Sequence, residues 1–193
     1  IGWPGDSNNY FSRETGGIRQ YDFSVAFNIE DRFYIGATLG VHDLDYNRYS
    51  SYREYLNDDE GAPNGGYTLN NVYELEGSGI NLKLGAIFRP FEESPFRFGL
   101  AVHTPTWYDL SEAYNATLES DISYFGESYT QTLSEKMNPD YLIYDYRMAT
   151  PWKFNVSMGT TLSNVVAIGA EYEYQDYSAA KLEDMDGYEL GDQ

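Results

Sequence analysis

Residues 20–42 read Gln20-Tyr21-Asp22-Phe23-Ser24-Val25-Ala26-Phe27-Asn28-Ile29, then Glu30-Asp31-Arg32, then Phe33-Tyr34-Ile35-Gly36-Ala37-Thr38-Leu39-Gly40-Val41-His42. In the first run Tyr21, Phe23, Val25, Phe27 and Ile29 alternate with Gln20, Asp22, Ser24, Ala26 and Asn28. A period of two puts each set on its own face of a β-strand. After the charged turn the alternation resumes, with Phe33, Ile35, Ala37, Leu39 and Val41 on one side and Tyr34, Gly36, Thr38, Gly40 and His42 on the other. Setting Ile29 against Phe33 gives a three-residue hairpin loop and keeps both apolar sets on one face.

The same unit recurs twice. Ile80, Leu82, Leu84, Ala86 and Phe88 lead through a turn at Pro90 to Pro95 into Phe96, Phe98, Leu100 and Val102. Trp152, Phe154, Val156, Met158, Thr160 and Leu162 lead through Ser163-Asn164-Val165 into Val166, Ile168, Ala170, Tyr172 and Tyr174. The residues behind them are Gly, Ser, Thr, Asn and scattered charges. About six strands are therefore expected, joined in pairs by tight turns on one side. Two long connections, from about Leu44 to Glu76 and from about Thr104 to Thr150, lie on the other side. Both are rich in carboxylates and tyrosines, and they are expected to be partly ordered as strand extensions.

The chain has 193 residues, the size of one domain, with 12 Lys plus Arg against 31 Asp plus Glu. The formal charge of -19 argues against a nucleic-acid partner, because a phosphate backbone would be repelled. Twenty Tyr and 18 Gly favour strands and turns over helices. The absence of Cys excludes disulfides and Cys-based zinc, and two His leave little for a His-rich centre, so neither metal nor cofactor is expected. No GxSxG, HExxH or GxxxxGK[ST] motif occurs, and an excess of 31 acids makes chance carboxylate pairs inevitable, so an enzyme is not expected. Asp184 to Asp192 alternates carboxylates with Gly in a faint likeness to a calcium loop, but lacks the spacing and is expected to be a solvated acidic loop. The chain opens on Ile1 and closes on an acidic stretch from Glu183 to Gln193, and is expected to be part of a longer protein.

Alternation alone fits both a soluble sandwich and a membrane barrel. Three features favour the barrel. Each apolar face runs free of charge for about nine to eleven residues, the length a tilted strand needs to cross the hydrocarbon layer, whereas sandwich strands run to about five or six. The rear face suits a wet lumen. The turns are short on one side and long on the other, as in outer-membrane barrels. Aromatics near strand ends, among them Phe33, Phe88, Phe91, Phe96, Trp152, Tyr172 and Tyr174, suit the headgroup level. Six strands are too few to close such a barrel, which needs about eight.

Specific words in the sequence then carry a resemblance. The run Gly79-Ile80-Asn81-Leu82-Lys83-Leu84-Gly85-Ala86-Ile87-Phe88-Arg89-Pro90 and the run Phe96-Arg97-Phe98-Gly99-Leu100-Ala101-Val102-His103-Thr104-Pro105-Thr106-Trp107-Tyr108 resemble the FadL family of outer-membrane transporters for long-chain fatty acids and other hydrophobic compounds. Thr150 to Val156 and Ala170 to Ser178 are also similar to that family, particularly to members from Bacteroidetes-type bacteria. The resemblance implies an antiparallel, up-and-down, all-β transmembrane barrel of 14 strands, of which residues 1–193 would supply about six. The family's hatch and remaining strands would lie outside this stretch. It further implies a place in the outer membrane of a Gram-negative cell, contact with outer-membrane lipid, and passage of hydrophobic small molecules such as long-chain fatty acids without chemical change.

Within such a barrel a lumen cation would hold a cargo carboxylate by a charge-assisted hydrogen bond. Lys83, Arg89, Arg97, His103 and Lys153 all fall on the face opposite the apolar one. If Phe88 opposes Phe98, Lys83 lies across from His103 and Arg89 from Arg97; such like charges are costly unless an anion lies between them. Glu171 and Glu173 share that face, so the alternative is an ion-pair ladder that props the wall. Trp107 and Tyr108, where the strand enters a long connection, would line an access groove for apolar ligands or form an interface belt. Pro105 removes a ladder donor and is expected to mark a bulge or kink. The candidate substrate-binding residues are thus Lys83, Arg97, His103, Trp107 and Tyr108. Two other readings of the whole remain: a soluble or surface-anchored β-sandwich that binds carbohydrate through its Tyr- and Trp-rich loops, and an outer-membrane barrel with a structural or adhesive role.

Overall fold

A computed structural model describes residues 3–91, 93–124, 127–132, 143–163 and 165–190. The fold is all-β and antiparallel. Ten strands form one sheet: β1 (Trp3–Ile29), β2 (Phe33–Asn57), β3 (Pro63–Phe88), β4 (Arg97–His103), β5 (Trp107–Tyr124), β6 (Glu127–Thr132), β7 (Ile143–Ala149), β8 (Lys153–Leu162), β9 (Val166–Gln175) and β10 (Lys181–Asp184). A single 3-10 turn, Tyr177–Ala179, separates the last two.

The ten strands fall into the six ranks expected from the alternation. β3 pairs with β2, β4 and β5; β8 pairs with β4 and β9; β7 pairs with β5 and β10. Thus β4 and β5 share one rank, as do β6, β7 and β8, and β9 and β10. Each rank neighbours the next in sequence, an up-and-down meander. Among the described residues the sheet is open, with β1 and the β9–β10 rank at its edges.

The expected hairpins are present. Leu162 pairs with Val166 and Lys153 with Gln175 along β8 and β9; Asn164 lies outside the described residues. Lys83 pairs with His103 and Phe88 with Phe98, and β3 ends before Arg89. In the first hairpin Ser24 Oγ and Thr38 Oγ1 meet at 2.9 Å, the register that sets Ile29 opposite Phe33. Arg32 N–H closes the turn on Ile29 O at 3.1 Å, with Glu30 and Asp31 both at positive φ.

The long connections differ from loops. The stretch from Leu44 to Glu76 continues β2 to Asn57 and starts β3 at Pro63, leaving a five-residue turn. Asp58 organises it: its Oδ1 accepts from the N–H groups of Glu60 and Ala62, and Gly61 takes φ +82°. Between Thr104 and Thr150 lie β5, β6 and β7. The alternation is weak there because Tyr, Ser, Asn and Glu occupy both faces, so pairing with the neighbouring strands decides the structure.

Two compact units divide the chain. One comprises Ile18–Asp43, Gly77–Leu110 and Tyr146–Gln193; the other comprises Ile1–Gly17, Leu44–Glu76 and Ser111–Asp145. In the first, the polarity of the sheet is inverted relative to a soluble protein. Along β2, β3 and β8 the apolar residues Phe33, Ile35, Leu39, Ile80, Leu82, Leu84, Phe154, Val156 and Met158 are exposed, while Gly40, His42, Asn81, Lys83, Asn155 and Ser157 between them are buried or half-buried. Leu100 is 50% exposed and Ile168 56%. The edge strands β1 and β9 are exposed on both faces. Among the described residues the buried hydrophobic side chains are Tyr108 and Leu110.

In the second unit the strands are held by tyrosine contacts and hydrogen bonds. Tyr46 and Tyr73 meet edge to face at 6.1 Å, and Arg48 lies over the Tyr73 ring at 5.6 Å. The hydroxyls of Tyr49 and Tyr114 donate to Asn70 and Asn71 at 3.1 and 2.7 Å, and that of Tyr73 to Glu112 at 3.1 Å. Gly16 takes φ +123°, and a Cβ there would stand 2.1 Å from Asp45 O. Gly16→Ala is therefore expected to cost about 1–3 kcal/mol, read as a lowered urea midpoint. Gly17→Ala meets nothing within 4 Å and serves as the neutral control.

Candidate functional site

The inverted sheet places a charged rung on the polar face. Lys83 of β3 pairs with His103 of β4, and His103 pairs with Lys153 of β8, so three basic residues stand side by side across three strands. Carboxylates flank the row. Lys83 Nζ lies 3.4 Å from Asp22 Oδ1, and Lys153 Nζ lies 3.5 Å from Glu173 Oε1. Asn155 Nδ2 donates to Glu171 at 2.8 Å and to Glu173 at 3.2 Å, fixing both acids beside the row. An open cavity of about 640 Å³ runs along this face, bordered by Asn28, Thr38, Lys83, His103, Asn155 and Glu171 among others.

The opposition of Lys83 and His103 is present, and so are two pairs of an ion-pair ladder. These pairs are long and partly solvated, a class worth about 0–1 kcal/mol each, so they orient the side chains more than they stabilise the sheet. The two lysine ammonium groups of the row, held by flanking acids, can take an anionic group by exchange of partners.

The other candidates separate. Arg97 opens β4 opposite Gly159 and is exposed, apart from the rung. Arg89 turns to the hairpin end, donating to Asp31 O at 3.2 Å. Trp107 is exposed, whereas its neighbour Tyr108 is 8% exposed, as strand alternation requires. Both nevertheless border one small cavity of about 90 Å³, with Arg147, Lys181 and Glu183.

Tyr108 also joins a buried polar node that the sequence reading did not single out. Asn81 Nδ2 donates to Thr106 Oγ1 at 2.9 Å and lies 3.0 Å from His42 Nε2. With that nitrogen accepting, the His42 proton sits on Nδ1, 3.2 Å from the Tyr108 hydroxyl. Asn81 and His42 are each 7% exposed. Asn81 Oδ1 has no partner among the described residues, and a Cβ on Gly40 would come 2.4 Å from it. The signal was available: His42 and Asn81 both interrupt polar faces made largely of small residues.

The node sits beside two strand breaks. Thr104-Pro105-Thr106 separates β4 from β5, and Thr150-Pro151-Trp152 separates β7 from β8. The expected interruption at Pro105 is real. Threonine hydroxyls take over the ladder there: Leu82 N–H donates to Thr104 Oγ1 at 2.9 Å and Thr106 N–H to Thr150 Oγ1 at 2.8 Å.

No grouping of three or more His, Asp or Glu able to hold a metal occurs among the described residues. The acidic stretch after Lys181 forms a turn in which Asp184 Oδ1 accepts from Tyr188 N–H at 2.8 Å and Glu183 bridges to Glu189. Asp192 lies outside the described residues. In the second unit Glu54 Oε2 accepts from both Tyr52 and Tyr67 hydroxyls. The carboxylate bond pushes the Tyr67 phenol up to about 12.

No family model and no curated protein matches the chain.

Two outcomes follow from these contacts. Asn81→Ala should cost about 1–3 kcal/mol by stranding His42 and Thr106, measured by equilibrium unfolding. The Tyr67 phenol titrates higher folded than its ordinary value of 10.0, so its contribution is complete below pH 10 and is lost as pH rises through about 12. A tyrosinate absorbance difference between the wild type and Tyr67→Phe should show that one phenol ionising above the rest; a midpoint near pH 10 would contradict the Glu54 contact.

Proposed function

We propose that the chain forms part of the wall of an outer-membrane β-barrel that passes hydrophobic small molecules, of the class of long-chain fatty acids, across the membrane without chemical change. The inverted polarity of β2, β3 and β8 carries this reading. In water each large apolar side chain left uncovered forgoes about 1.5–3 kcal/mol of burial, and the face holds a contiguous field of them. A soluble sandwich would lay a second sheet over that field, and among the described residues there is one sheet. Lipid tails cover such a face without any protein layer, and paired strands leave few backbone groups unsatisfied in lipid. The sequence resemblance to the FadL family supplies the cargo class.

On this reading the Lys83–His103–Lys153 rung faces the passage. A carboxylate entering it would replace the partial attraction of Asp22 and Glu173 by a direct contact, and leave again because those acids compete for the same cations. Weak, exchangeable binding suits conduction.

The wall is tested by depth. Leu82→Arg and Ile168→Arg should each destabilise the protein in lipid by about 2–4 kcal/mol, and Ser157→Arg by much less; equal costs would contradict the assigned faces. The cargo is tested by reconstitution of the full-length protein. Labelled fatty acid should enter its liposomes faster than empty ones, and Lys83→Met with Lys153→Met should slow that entry. Rates equal to those of empty liposomes would rule out transport.

A further inference from the structure

The buried node and the charged rung meet at one gap, the space above the Gly40 Cα. A Cβ placed there would stand 2.4 Å from Asn81 Oδ1 and 3.1 Å from Asp22 Oδ1, so two acceptor oxygens border the space that the missing side chain leaves. They are provided for unequally. Asp22 Oδ1 accepts from Gln20 Nε2 at 2.7 Å and lies 3.4 Å from Lys83 Nζ. Asn81 Oδ1 is buried and has no partner among the described residues, which costs stability unless something offsets it.

A carboxamide has nearly the same shape when turned end for end, so reversal exchanges a donor for an acceptor and leaves every heavy-atom position filled. In the resting orientation Asn81 Nδ2 donates to Thr106 Oγ1 and His42 Nε2, and His42 Nδ1–H donates to the Tyr108 hydroxyl. Reversed, Asn81 Oδ1 accepts from the Thr106 hydroxyl and from His42 Nε2–H, the Tyr108 hydroxyl donates to the bare Nδ1, and Nδ2 faces Asp22. The reversed form pairs every polar atom of the node and gives Asp22 a donor other than Lys83. The resting form leaves Asn81 Oδ1 over and relies on Lys83 and Gln20 to supply Asp22. Whether Lys83 sits on Asp22 therefore decides between the two.

We propose that Asn81 is a positioning residue for the rung: its amide turns to donate to Asp22 when Lys83 leaves that carboxylate for an anionic cargo, and His42 changes from its Nδ1–H to its Nε2–H form. The ring stays neutral, giving up one proton to solvent and taking another, while the Thr106 and Tyr108 hydroxyls only rotate. This rests on the reading of the rung as the cargo contact, and it names what makes Lys83 easy to release. A carboxylate that loses its cation without a substitute donor holds the cation back; an amide already beside it removes part of that penalty.

Nitrogen-15 histidine spectra of the full-length protein in lipid nanodiscs, taken above the usual histidine range so that the ring is neutral, show which ring nitrogen of His42 carries the proton; its signal is the one that His42→Gln removes. The resting protein should show Nδ1–H. Lys83→Met should show Nε2–H with no cargo present, and adding Asp22→Ala to it should restore Nδ1–H, because the acceptor is then gone. A long-chain fatty acid added to the wild type should produce Nε2–H, and the alcohol of the same chain length should not. Nδ1–H persisting in Lys83→Met, or Nε2–H in the resting protein, overturns the role of Asn81 whatever the liposome assay gives. A switch in Lys83→Met with no response to the fatty acid, or with an equal response to the alcohol, supports Asn81 as the reserve donor and overturns the cargo reading of the rung.

Discussion

The strands of the first unit answer to one constraint: an apolar sheet face must meet something apolar, and the covering layer is not supplied by the described residues. The interior strands show the consequence residue by residue. Leu82 and Leu84 stand open while Lys83 between them is half-buried, and Val156 stands open while Asn155 and Ser157 do not. In a soluble protein the selection would run the other way. The polar side is sheltered by its own small residues: Asn81 closes over Gly40 and Ser157 over Gly99, where a Cβ would meet them at 2.4 and 2.5 Å.

That shelter explains why the first unit buries a polar group. His42, Asn81, Thr106 and Tyr108 satisfy one another across three strands, and only Asn81 Oδ1 is left over. The node, the rung and the flanking carboxylates are graded. The node is dry and geometrically fixed, whereas the rung is wetter and its ion pairs are long. Rigidity and exchangeability are thus assigned to neighbouring positions of the same face.

Much of this was legible in the sequence where the period of two is clean. The turns at Glu30–Arg32 and Ser163–Val165, and the opposition of Lys83 and His103, follow from alternation and from the requirement that apolar sets share a face. The extensions were harder, because Tyr52, Tyr67, Tyr73 and Glu112 carry no polarity contrast between faces; their strands exist through pairing and through hydroxyl–carboxylate and hydroxyl–amide bonds, which one-dimensional spacing does not encode. The candidate site was legible as a set of cations but not as a group. Arg97 and Lys83 share a face in the alternation, yet only the cross-strand register with β8 shows that Lys153, and not Arg97, completes the row. The contrast in exposure between Trp107 and Tyr108 is the alternation itself, applied to a strand that begins after Pro105.

The two Thr-Pro interruptions act as a key for alignment. A β-ribbon of repetitive, mostly apolar residues can slide along its neighbour by two places at little loss. Here such a slip would carry Pro105, which has no N–H, into a position that must donate, and would take Thr150 Oγ1 away from the amide it serves. Misaligned assemblies of these ranks are thereby made costly at one fixed height, so the long strands can be nearly featureless elsewhere and still join in a single register.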